Sequence, residues 1–199
     1  MVTQGNTSNY VALKRSLSNF SLTEPIETCP SPNINLKTCG TGLKYFLRYN
    51  DSVCLMIQYQ ANKFTHQGAQ LGCQRDGLKL RGLESERIFV AELATILKKQ
   101  FQKYNEVAVW VDGKRNSKCE TSQNCSSIED YEFQDDTLHY KSGYKWNTGE
   151  PNGLGGEYCL QMYILPDTSS DSHGKIDDVD CSMIENYPKF FALCGMKAK

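Results

Sequence analysis

The chain has 199 residues, a formal net charge of −1 and 39% apolar side chains, enough for one domain with a core and a tail. That charge argues against a nucleic-acid partner held through its phosphates. No run approaches the roughly 18 apolar residues of a membrane span. Residues 1–28 are polar, rich in Ser, Thr and Asn, and lack the apolar stretch of a secretory signal, so they are expected to form a flexible extension. Leu13, Leu17 and Phe20 share a helical face there, in a stretch that is short and weakly capped. Pro25, Pro30 and Pro32 lead into a domain assigned to residues 29–199.

Residues 39–54 read as a short strand pair turning at Asn50-Asp51. Phe64, Gly68, Leu71 and Cys73 fit helical spacing. Ser85 is a suitable N-cap for a second helix to about Phe101, with Ile88, Phe89, Leu93, Ile96 and Leu97 on one face. Val107 to Val111 is a continuous apolar strand, ending at Asp112-Gly113, and its Trp110 is expected in the core. Leu160–Leu165 and Phe190–Cys194 supply the remaining strands. There is no internal repeat and no domain-scale linker.

Nine cysteines favour an oxidising compartment and a disulfide framework. The sequons at Asn6, Asn19, Asn50 and Asn124 agree with an extracellular, secreted protein whose signal peptide lies outside this chain. The alternative is a cytosolic form with reduced thiols. Zinc is a poor fit, because the chain has no Cys-x-x-Cys pair and its three histidines are scattered. Cys119 and Cys125 enclose a short polar loop and are expected to clip it closed.

Three acidic segments carry the chemistry: Glu150-Pro151-Asn152, then Glu157-Tyr158-Cys159, then Ile176-Asp177-Asp178-Val179-Asp180-Cys181. Hard oxygen donors gathered this way suit Ca²⁺, which takes about 6–8 oxygen ligands. A cis Glu150–Pro151 bond would let Glu150 and Asn152 aim at one point. With Val109-Trp110-Val111-Asp112-Gly113 upstream, this order and spacing resembles the C-type lectins. The motifs run from about Cys39 to Cys194.

The resemblance implies an α+β C-type lectin-like fold, with two helices, two small antiparallel sheets and a long disulfide-tied loop region. It implies the pairs Cys73–Cys194, Cys159–Cys181 and Cys39–Cys54. Cys29 is left over, either free or linking two chains into a dimer. It implies Ca²⁺ ligands at Glu150, Asn152, Glu157, Asp177 and Asp178. Carbohydrate binding then falls to Glu150, Asn152, Glu157 and Asp177. The Glu-Pro-Asn order resembles members selecting mannose, glucose, N-acetylglucosamine or fucose-type glycans, in roles such as innate defence.

Two positions depart from the family pattern. Ile176 stands where a tryptophan is usual and is expected to cost packing. Asp177 replaces an asparagine, and an ionised aspartate accepts hydrogen bonds but cannot donate one to a sugar hydroxyl. Four carboxylates should still attract Ca²⁺, and should repel one another without it, loosening the loop and raising their pKa values. The family's auxiliary calcium site is expected to be absent, since Gly153 and Tyr158 stand where acids would be needed.

Three other readings compete with this one. The domain could bind a protein or lipid partner without sugar, with Ca²⁺ structural or absent. Residues 169–180 imitate an EF-hand loop, but begin with Ser, end with Asp and lack flanking amphipathic helices. An enzyme is disfavoured, because the chain has no nucleophile elbow and no phosphate-binding glycine loop.

Overall fold

The computed structural model describes residues 38–84, 87–100, 104–119, 126–153, 155–184 and 188–199. Strands β1 (Lys44–Leu47) and β2 (Ser52–Tyr59) form the hairpin, with Asn50 exposed in its turn. Helix α1 spans His66–Arg75, capped by the Thr65 hydroxyl, which accepts from the Gly68 amide at 3.1 Å. It buries His66, Ala69, Gly72 and Cys73, while Leu71 faces solvent. Strand β3 (Lys79–Leu80) precedes α2 (Arg87–Gln100), whose Leu93 and Ala94 are buried. The expected Ser85 cap and the Phe101 end lie outside the described residues. Strands β4 (Val107–Arg115), β5 (Tyr131–Glu132), β6 (Glu157–Ile164), β7 (Ile176–Asp180) and β8 (Lys189–Lys197) complete the element order.

The strands join in one mixed sheet ordered β1-β2-β8-β4-β6-β7, with β3 added to β8 and β5 to β4. Two separate antiparallel sheets were expected. They are fused because β4 runs parallel to β8, pairing Ala108, Val109 and Trp110 with Lys189, Phe191 and Ala192. Both segments are buried apolar runs, which suits a central position in a sheet covered on both faces.

One cluster packs Val107, Val109, Val111, Leu160, Met162, Ile164, Ile176, Phe191 and Leu193 against Leu93 of α2. A second surrounds Trp110 with Phe64, Ala69, Cys73, Val179 and Cys194. Trp110 is fully buried and donates to the Phe64 carbonyl at 2.8 Å, so it is a core residue as expected. Ile176 is also fully buried, beside a part-buried Trp146 whose ring lies 5.6 Å from that of Tyr131.

Three disulfides match the family pairing: Cys39–Cys54, Cys73–Cys194 and Cys159–Cys181. Cys73–Cys194 closes a separation of 121 residues and ties α1 to β8. In the chain-entropy account such a loop contributes about 4–5 kcal/mol. Cys119 is disulfide-bonded, but its expected partner Cys125 lies outside the described residues, as do Cys29 and the extension at 1–28.

A buried ionic node holds the long connection after β5. The Asp135 carboxylate receives Arg48 at 2.8 Å and Arg81 at 2.5 Å. The Asp135 amide in turn donates to Asp112 at 2.7 Å. Glu84 accepts from the amides of His139 and Tyr140, and the Tyr144 hydroxyl donates to the Asp112 carbonyl at 2.6 Å. These bonds lash residues 135–144 to the body and deliver the chain to Glu150.

Candidate functional site

The third acidic segment forms strand β7, in which Ile176 to Val179 are buried and only Asp180 is exposed. Aspartates have low strand propensity, and here pairing with β6 overrides it. That pairing sets Asp177 opposite Gln161 and Asp178 opposite Leu160. Met162 pairs with Ile176, whose own side chain anchors the strand to the core.

Carboxylate oxygens of Glu150, Asp177 and Asp178 all lie within 4.8 Å of one another. The sequence-predicted set is therefore partly assembled. Asn152 is exposed next to it, and its backbone N–H donates to Glu150 at 3.0 Å and to Asp178 at 3.2 Å. Glu157, at the start of β6, stands outside this trio, paired in the sheet with Asp180. The Glu150–Pro151 bond is cis, as supposed.

Each aspartate is held from below. Asp177 Oδ2 accepts from Gln161 Nε2 at 2.9 Å and from the Tyr163 hydroxyl. Asp178 Oδ2 accepts from Arg115 Nη2 at 2.6 Å and from the Tyr131 hydroxyl at 3.2 Å, while its Oδ1 receives the Asn152 amide. Sequence reasoning missed Arg115, Tyr131, Gln161 and Tyr163. They lie 14 or more residues from the aspartates they hold, and the β5–β4–β6–β7 pairing brings them together. The one local signal was Gln161 and Tyr163 alternating with apolar residues in a strand.

Burial pushes the Glu150 carboxyl above its ordinary pKa, and the charges of Asp177 and Asp178 push it further. Burial also raises Asp177, against the hydrogen bonds from Tyr163 and Gln161. Both carboxyls are raised, but burial is the larger cause for each and the mutual repulsion expected from the sequence is the smaller. Negative charge is thus concentrated beyond what this half-buried site accommodates comfortably, and a cation would relieve it. The donors suit Ca²⁺: three carboxylates, with the Asn152 side chain hydrogen-bonded to Glu150 beside them.

The other chemical readings do not assemble. In place of an EF-hand loop, residues 169–174 form turns and 176–180 are strand. His173 is half-buried and accepts from the Leu165 amide at 3.1 Å through Nδ1. No described helix is long and apolar enough to cross a membrane.

Comparison with known proteins follows the same lines. No curated protein matches the chain by sequence. Among solved structures it is similar to herring type II antifreeze protein, at 18% identity and a TM-score of 0.51, covering 81% of this chain and all of that one. It is also similar to a Ca²⁺-dependent type II antifreeze protein in its Ca²⁺-free form, at 19% identity and a TM-score of 0.50 over 79% and 99% of the two chains. The carbohydrate-recognition domain of cow CD23 matches at 20% identity and a TM-score of 0.48, over 82% and 97%. At such identities these likenesses concern the fold. A family model, C-type lectin domain-containing protein 141/158, matches residues 48–197, three quarters of the chain. The α+β fold, the three disulfides and this match agree, and the chain belongs to that C-type lectin domain family.

Proposed function

We propose that this domain is an extracellular Ca²⁺-dependent carbohydrate-binding protein that performs no chemistry on its ligand. The observation that carries the reading is the convergence of Glu150, Asp177 and Asp178 within 4.8 Å, beside an exposed Asn152. Bound Ca²⁺ would supply a Lewis-acidic centre for two neighbouring sugar hydroxyls. Glu150, Asn152, Asp177 and Asp178 would hold the ion, with Glu157 at the edge of the set. Glu150 and Asn152 lie at the exposed rim, where a carboxylate accepts and an amide donates, so they orient the sugar. Asp177 and Asp178 are buried and fix the geometry from beneath. The Glu-Pro-Asn order favours glycans of the mannose, glucose, N-acetylglucosamine or fucose type. Three disulfides fit the oxidising environment outside the cell.

A second reading rests on Asp177. With Oδ2 engaged by Gln161 and Tyr163, this aspartate offers acceptors and no donor toward a hydroxyl. A domain so built would bind a protein or lipid surface, with calcium only stiffening the loop. Retention on mannose- and galactose-coupled resins in millimolar Ca²⁺, followed by EDTA elution, separates the two. Mannose retention released by EDTA supports the lectin. Capture of a partner that survives EDTA, without retention on either resin, supports the alternative.

A further inference from the structure

Arg115 closes β4, and its side chain is about 5% exposed. Its Nη2 lies 2.6 Å from Asp178 Oδ2, and its guanidinium sits 5.7 Å from the centre of the Tyr131 ring. Burial opposes its charge, but the Tyr131 hydroxyl, Asp178 and Glu157 outweigh that and keep it protonated. The same guanidinium runs under the ligand loop. A methyl group built on Gly153, which adopts φ +62°, would stand 3.0 Å from Nη1. Asp178 therefore bridges two parties: Oδ2 holds Arg115, and Oδ1 holds the Asn152 amide of the Glu150-Pro151-Asn152 loop.

A buried carboxylate needs a counter-charge, and here a side chain of the protein provides it. The planar guanidinium suits the task, because it remains charged when buried and can engage Asp178 and Tyr131 together. Lys189 adds a further positive influence on Asp177. A divalent ion seated on Asp178 would stand a few ångströms from this cation, in surroundings that screen poorly.

We infer that Arg115 is a tethered counter-cation of the Glu150–Asp177–Asp178 cluster: it holds Asp178 and the loop in place without metal, and it competes with Ca²⁺ for that carboxylate. The inference rests on the calcium reading above and adds to it a residue that sets affinity. The carboxylate brought by Asp177 is offset by Arg115, so the site binds Ca²⁺ more weakly than its acidic count suggests. The loop also keeps its shape when the ion leaves.

The test compares Ca²⁺ binding by calorimetry, and melting in EDTA and in Ca²⁺, for the wild type, Arg115→Gln and Arg115→Lys. The expected result is Ca²⁺ binding at least tenfold tighter in Arg115→Gln, with a lower melting temperature in EDTA and a larger Ca²⁺-induced rise. Arg115→Lys, which keeps the charge, should stay within about threefold of wild type. Equal or weaker binding by Arg115→Gln, while the wild type binds, overturns this inference and leaves the calcium site standing. Absence of binding by all three proteins overturns both. If Arg115→Gln does not fold, the Arg115 Nε resonance of the wild type decides. A shift on Ca²⁺ addition supports the competition, and an unmoved resonance in a calcium-bound protein overturns it.

Discussion

Gln161 Nε2 donates to Asp177 Oδ2 at 2.9 Å, across the β6–β7 pair, and the Tyr163 hydroxyl converges on the same oxygen. Both are donors, so position 177 must present an oxygen on its inner side whatever residue occupies it. An asparagine would keep that oxygen inward and turn its NH₂ toward the ligand. Asp177→Asn is therefore expected to strengthen mannose binding by about tenfold, the equivalent of one recovered hydrogen bond of about 1–3 kcal/mol. Competitive elution of wild type and variant from mannose resin measures the change. Identical elution would place Asp177 away from the ligand.

Glu150 is part-exposed and contributes a carboxylate to the trio together with a bond to the Asn152 amide. Glu150→Ala should abolish Ca²⁺-dependent resin retention. Its melting temperature in EDTA should stay close to wild type, since partly exposed substitutions usually change stability by less than about 0.5–1 kcal/mol. Retention by this variant would remove Glu150 from the site.

Asp135 carries a different load. Its carboxyl is held down at about 2 although burial opposes ionisation, because Arg48 and Arg81 press against it. A folded value below the unfolded one contributes stability that is complete above about pH 4 and lost as pH falls toward 2. Asp135→Ala should cost about 3–5 kcal/mol at neutral pH, by leaving buried Arg48 without its carboxylate and Arg81 with only the exposed Asp136. It should also flatten the acid limb of a urea-midpoint profile between pH 4 and 2. An unchanged limb would assign acid unfolding to other carboxylates.

His66 works in a higher window. Burial lowers its pKa to about 4, against a backbone hydrogen bond to Val111, and its ring stacks edge-on at 5.4 Å from Trp110. The folded protein keeps it neutral while the unfolded chain protonates it. Stability from this residue is complete above about pH 6.5 and declines as pH falls toward 4. The decline should amount to about 2–3 kcal/mol. His66→Gln should remove that slope and leave the Asp135 limb below it, in the same urea series.

Much of this molecule is legible along the chain. Val107 to Val111 reads as a buried strand because apolar residues run without interruption, and it is one. The cysteines announce an oxidised scaffold, and three of the pairs implied by family resemblance are formed. Glu150, Asp177 and Asp178, implied by the family resemblance, do converge. Periodicity failed where a long-range partner overrides local preference. Residues 176–180 carry three aspartates, which local preference disfavours in a strand, yet they form one, because Ile176 and Val179 bury into the core and β6 satisfies the backbone.

Residue identity and order thus determine the side-chain chemistry here: oxygen-bearing groups on three short segments, stapled by cysteines, with no hydrogen-bond donor at position 177. Which charges meet is decided only in three dimensions. Arg115 is 63 residues from Asp178 in sequence, and it reaches that carboxylate because β4 lies beside β6 and β6 beside β7. Gly113, at φ +132°, lies where a side chain would strike Leu160 at 2.4 Å, and the register shift there carries the end of β4 to the site. Electrostatic partnership depends on distance through space, and a linear pattern holds no record of it until the sheet has closed.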